Sequence, residues 1–141
     1  MIVIVDASVA AKWFIAEENA SDALELLKGD YELHAPDLIF TEVDNVLCKL
    51  IRRGILSLDD GFEIHNRISA FPIQSYPSMY FREEAFELAL ETRSSIYDCL
   101  YLALAEALEA PMVTADRKFF QALQNSPLCN RLLMVDDLRK T

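Results

Sequence analysis

Ile96-Tyr-Asp-Cys-Leu-Tyr-Leu-Ala-Leu-Ala-Glu-Ala-Leu108 is the stretch on which the fold turns. Leu, Ala and Glu are strong helix formers and no Gly or Pro interrupts them, so the segment is expected to be a helix. Its apolar residues lie nearly all round, which predicts a helix sunk in a core. Asp98 nonetheless stands in the first turn, three residues before Tyr101 and four before Leu102. A carboxylate in such surroundings is costly unless a cation or strong donors meet it. The nearest basic residue in sequence, Arg93, lies outside the helix.

Working outward, Ile2-Val-Ile-Val5, Met112-Val-Thr114 and Leu132-Leu-Met-Val135 are short apolar runs of the kind that form strands buried on both faces. Glu32–Pro36 reads as a further strand and 71–77 as a brief one hemmed by prolines. Helices are expected near 9–15 with Ser8 as N-cap, 20–28, 37–53, 57–70 with Ser57 as N-cap, 81–92, and 117–124 behind Asp116. Residues 136–141 read as a polar tail. Strands alternating with helices predict an α/β fold, a parallel sheet with helices on both faces. The 141 residues fit one domain, 1–141, with no internal repeat, low-complexity segment or linker.

Composition narrows the function. No apolar run approaches the ~20 residues that span a bilayer. The first residues reach an acid at Asp6 without a basic region before it, so they read as a strand, not a signal peptide, and a cytoplasmic protein with no membrane partner is expected. Cys48, Cys99 and Cys129 are odd in number and lack metal-ligand spacing, so core thiols are expected. The three glycines build neither GxGxxG nor GxxxxGK[ST], which argues against a dinucleotide site or P-loop. A net charge of −10 argues against holding nucleic acid by bulk electrostatics but suits a metal site or a basic partner peptide.

Sites in open parallel sheets form outside the carboxyl ends of the strands. Asp6 directly follows the first strand and Asp116 lies two residues after Thr114. Glu42 sits at the margin of the apolar face of the 37–53 helix, between Ile39 and Val46. With Asp98 they make four acids at element ends without a paired base. Taken singly each has a plain structural explanation, such as a cap or a solvated helix residue. Together they form the donor set that one or two hard divalent cations require, Mg²⁺ or Mn²⁺.

The order Val5-Asp6-Ala-Ser8, Thr41-Glu42-Val-Asp-Asn45-Val-Leu47, Ser95-Ile-Tyr-Asp98-Cys-Leu-Tyr-Leu-Ala-Leu-Ala105 and Val113-Thr114-Ala-Asp116-Arg-Lys-Phe119 resembles the PIN domain. It looks most like the VapC-type toxins of prokaryotic toxin–antitoxin pairs, and the resemblance covers the whole chain. It implies an α/β/α sandwich around a parallel sheet and a Mg²⁺- or Mn²⁺-dependent ribonuclease. It places the acidic quartet on Asp6, Glu42, Asp98 and Asp116, with Ser8, Asn45 and Thr114 as auxiliary pocket residues. It also implies a homodimer and a small antitoxin protein as partners. Many relatives carry a further acid near the last Asp, where this chain has Lys118.

The chemistry expected is hydrolysis of an RNA phosphodiester by metal-activated water. A metal-independent ribonuclease needs an acid and base near neutrality, and His34 and His65 read as structural or surface residues. Glu42, Asn45, Lys49 and Arg52 form one polar stripe leading from the site, and with Arg117 and Lys118 it is a candidate track for an RNA backbone. A solvated helix face explains the stripe equally well. Two other classes compete. One is a PIN-like module that binds RNA or protein without cleaving. The other is a phosphotransfer domain of receiver or haloacid-dehalogenase type, which the Ser at position 8 disfavours because the latter needs Asp-x-Asp.

Overall fold

The computed structural model describes residues 1–140. Five strands form, β1 (Ile2–Val5), β2 (Glu32–Pro36), β3 (Ile73–Tyr76), β4 (Met112–Thr114) and β5 (Leu132–Met134), and all pair in parallel in the order β3-β2-β1-β4-β5. The continuous apolar runs take the sheet's interior: Val3, Ile4, Val5, Met112 and Val113 are fully buried. β3, with exposed Gln74 and Ser75, lies at an edge, where polar side chains discourage further pairing.

β1 is central, bonded to β2 through Ile2↔Glu32 and to β4 through Val5↔Val113. The chain steps outward from β1 to β3, then crosses back to β4 and β5 on the opposite side. β1 and β4 therefore flank the point where strand order reverses, and a cleft opens there at the carboxyl ends.

The helices are α1 (Ala7–Ala10), α2 (Ala20–Glu25), α3 (Leu38–Arg52), α4 (Leu58–Ile68), α5 (Arg82–Thr92), α6 (Ile96–Leu108) and α7 (Arg117–Ala122). They cover the sheet as an α/β/α sandwich. α6, the helix that reads as apolar all round, packs on β1, β2 and β4 and buries Cys99 through Ala105 without a break. Ser95 caps it by accepting from the Asp98 amide at 3.1 Å. Ser57 caps α4 in the same way, through the Asp60 amide. No described helix is long and apolar enough to cross a membrane.

The structure corrects four expectations. The first helix begins at Ala7 and its N-cap is Asp6, whose side chain accepts from the Val9 amide; Ser8 lies inside the helix, which tightens into a 3₁₀ turn at Ala11–Trp13. Of the three thiols expected in the core, Cys99 is buried but Cys48 is exposed and Cys129 half-buried; Ser78–Phe81 and Pro127–Arg131 are 3₁₀ turns that no long periodicity announces. Residues 135–140 are a 3₁₀ turn against α2, not a polar tail, because Val135 and Leu138, three apart, share one buried side. Residue 141 lies outside the described residues.

Candidate active site

Parallel pairing of Val5 with Val113 delivers Asp6 and Asp116 to the same edge of the sheet. Asp6 is only 4% exposed. Its Oδ1 accepts from the Ser8 hydroxyl at 2.5 Å and the Val9 amide at 3.1 Å, and its Oδ2 accepts from the Thr114 hydroxyl at 2.5 Å. Both hydroxyls are also acceptors. Ser8 Oγ receives the Ala115 amide and Thr114 Oγ1 the Asp116 amide, each at 3.0 Å. Each O–H proton is thereby aimed at Asp6, which binds the start of α1 to the end of β4. Two donors occupy Oδ1, so the unfilled lone pair of this carboxylate is on Oδ2.

Asp116 is the N-cap of α7, accepting from the Phe119 amide at 3.0 Å. Asp98 stands in the first turn of α6 and Glu42 on the second turn of α3. Glu42 Oε1 accepts from the Tyr101 hydroxyl at 2.6 Å, a bond from α6 to α3. Asp6, Ser8, Glu42, Asn45, Lys49, Asp98, Tyr101 and Asp116 line one cleft of about 220 Å³.

The electrostatics are those of crowded acids withdrawn from water. Burial, against the hydrogen bonds of Ser8, Thr114 and Val9, pushes the Asp6 carboxyl up to about 6, with Asp98 adding to the rise. Burial also raises Glu42 against the Tyr101 bond, and Asp98 pushes it the same way. Asp98 is raised by burial, opposed by Ser95 and reinforced by Asp116. A divalent cation relieves this combination of desolvation and repulsion.

Among the described residues no three His, Cys, Asp or Glu side chains close on a point as a complete ligand cage. The cleft has room for several waters between its acids, at about 30 Å³ each. That fits Mg²⁺, which keeps most of its waters and takes one or two carboxylates, better than an ion that demands full enclosure. Asp6, through the open lone pair of Oδ2, and Asp98 could hold such an ion, with Glu42 and Asp116 lining the same cleft.

The other expected residues divide. Thr114 is fully buried and, with Ser8, orients Asp6. Asn45 and Lys49 line the cleft on the two turns of α3 after Glu42, while Arg52, Arg117 and Lys118 are not among its lining residues. Arg117 is turned to Asp136 at 3.2 Å. Both histidines lie elsewhere: His34 bonds the Tyr76 hydroxyl at 2.8 Å and His65 bonds Asp44 at 2.6 Å. Tyr101 is the cleft residue that sequence reading passes over. Its spacing of three from Asp98 puts both on one side of α6, a signal that reads first as core packing.

Comparison with known proteins agrees with this architecture. The chain is 35% identical over 122 residues to the Ribonuclease VapC3 of Pyrobaculum aerophilum, covering 84% of this chain and 92% of that one. The structure of VapC20 from Mycobacterium tuberculosis, a sarcin-ricin loop cleaving toxin, superposes with a TM-score of 0.66 at 16% identity, over 85% of this chain and 94% of that one. A toxin–antitoxin complex from Klebsiella pneumoniae gives 0.62 at 15% identity, over 94% and 97%. The PIN domain profile matches residues 3–123, from the second residue of β1 to just past α7. With the central parallel sheet and four acids at its carboxyl edge, this chain belongs to the PIN domain family.

Proposed function

We propose that this protein is a Mg²⁺- or Mn²⁺-dependent endoribonuclease, the toxin of a VapBC-type toxin–antitoxin pair. The observation that carries the reading is the cleft itself: Asp6, Glu42, Asp98 and Asp116 line one opening, and burial and mutual repulsion raise three of them. Its 35% identity to a ribonuclease over most of both chains supports the substrate class.

The residues divide the work. Asp6 and Asp98 would hold the cation, with Asp6 fixed by Ser8 and Thr114. When bound, the cation supplies Lewis-acid polarisation of the phosphate and a water of lowered pKa. Glu42, whose carboxyl burial holds above its usual range, is the acid left to take the attacking water's proton. Lys49 at the cleft meets the phosphate as a point charge. Water attacks phosphorus, the 3′ oxygen departs as a hydroxyl, and the phosphate stays on the 5′ side. The 2′-hydroxyl takes no part.

A cognate antitoxin protein, a homodimeric state and a cytoplasmic location belong to the same proposal, by likeness to toxin–antitoxin proteins. The test is cleavage of RNA with Mg²⁺, with 5′ ends mapped, for the unaltered protein and for Asp6→Asn and Asp98→Asn. Both variants are expected to lose cleavage by at least two orders of magnitude while staying folded. Metal-dependent cleavage retained by both defeats the assignment, and an unaltered protein that binds RNA without cutting it leaves a binding module.

A further inference from the structure

Tyr101 carries more than its place in the core requires. It is 1% exposed and belongs to the main hydrophobic core, where Phe would fill the same space. A buried hydroxyl needs a partner, and this one donates to Glu42 Oε1, 59 residues away in sequence. Glu42 is half-buried on a different helix, so without that bond its carboxylate is free to swing between cleft and solvent.

We propose that Tyr101 is a positioning residue for the metal-binding cleft, holding Glu42 so that Oε1 is committed to the phenol and Oε2 is the oxygen turned to the cation and its waters. The phenol is a neutral donor and its proton is directed at the carboxylate. One neutral donor thus fixes an acid in the cluster without adding a cation that competes with the metal. Such outer partners of ligating carboxylates typically matter ~10–100-fold in metal affinity. The inference rests on the metal-dependent reading above.

The test is Mn²⁺ binding to the metal-free protein by calorimetry, for the unaltered chain, Tyr101→Phe, Glu42→Gln and the double variant. Tyr101→Phe should melt within a few degrees of the unaltered protein and bind Mn²⁺ at least ~10-fold more weakly. The double variant should bind no more weakly than Glu42→Gln, since the phenol acts through that carboxylate. Affinity unchanged in Tyr101→Phe, or losses that simply add, overturn the role of Tyr101 and leave the metal reading standing. An unaltered protein that takes up no Mn²⁺ overturns the metal reading and this inference with it. If Tyr101→Phe does not fold, the ¹⁹F resonance of Tyr101 in 3-fluorotyrosine-labelled protein gives the answer. It is assigned by replacing the other four tyrosines in turn. A shift saturating with Mg²⁺ supports the role, and a resonance that stays still overturns it.

Discussion

Asp6 does three things with one carboxylate: it caps α1, receives two directed hydroxyls and faces the cleft. The cost of keeping it charged appears as pH dependence. Its carboxyl lies near 6 in the folded chain against an ordinary 3.8, so between those values the folded state binds more protons than the unfolded one. In chelator, stability is therefore highest below about pH 4 as far as this group is concerned and falls as pH rises through about 6. The difference at 1.36 kcal/mol per pH unit amounts to about 3 kcal/mol. Glu42 and Asp98 are raised too and push in the same direction. Denaturant midpoints from pH 4 to 7.5 should show the fall, and Mg²⁺ should reduce it at pH 7. A related outcome concerns Asp98→Asn. Removing one charge from the cluster should raise the melting temperature of the metal-free protein at pH 7 while cleavage is lost. Asp6→Ala should lower it, because the cap, worth about 1 kcal/mol, goes and two hydroxyl protons lose their acceptor.

At the level of elements, α3 and α4 pack together and Gly61 of α4 lies against Ile51 of α3. Ala in place of a helical Gly ordinarily gains about 1 kcal/mol. Here an added Cβ falls 2.5 Å from Ile51 Cδ1, so the contact must open or the Ile must turn away. Gly61→Ala should show none of the gain in urea unfolding, and pairing it with Ile51→Val, which removes that methyl, should recover it. The same scale shows what could be read from the chain. α6 was legible because thirteen residues share one composition, and the four acids because strand ends and a helix margin carried them. Ser8 and Asp6 are both good caps, and the choice between them is made partly by Thr114, 108 residues from Asp6, which local pattern does not contain. Tyr101 was hidden for the same reason: its hydroxyl's partner lies on another helix. The 3₁₀ turns escaped because a three-residue period repeated once is no period.

For the whole molecule the charge of −10 bears on how the proposed RNA substrate would be held. Lys49 is the basic residue that lines the cleft, so binding draws on few phosphate contacts. The plot of log affinity against log salt should be shallow, with a slope of about −1 to −2 at ~0.7 per phosphate met on a single strand. Lys49→Glu should flatten it further, whereas Arg52→Glu, outside the lining residues, should leave it alone; filter binding with the inactive Asp98→Asn chain measures both. Sheet order has its own bearing on how the protein is made. β1 is synthesised first, yet one of its two flanks stays bare until residues 112–114 emerge, and the last of the four acids comes at 116. Most of this chain must therefore be made before the cleft between β1 and β4 can assemble, and the order of the strands sets that delay.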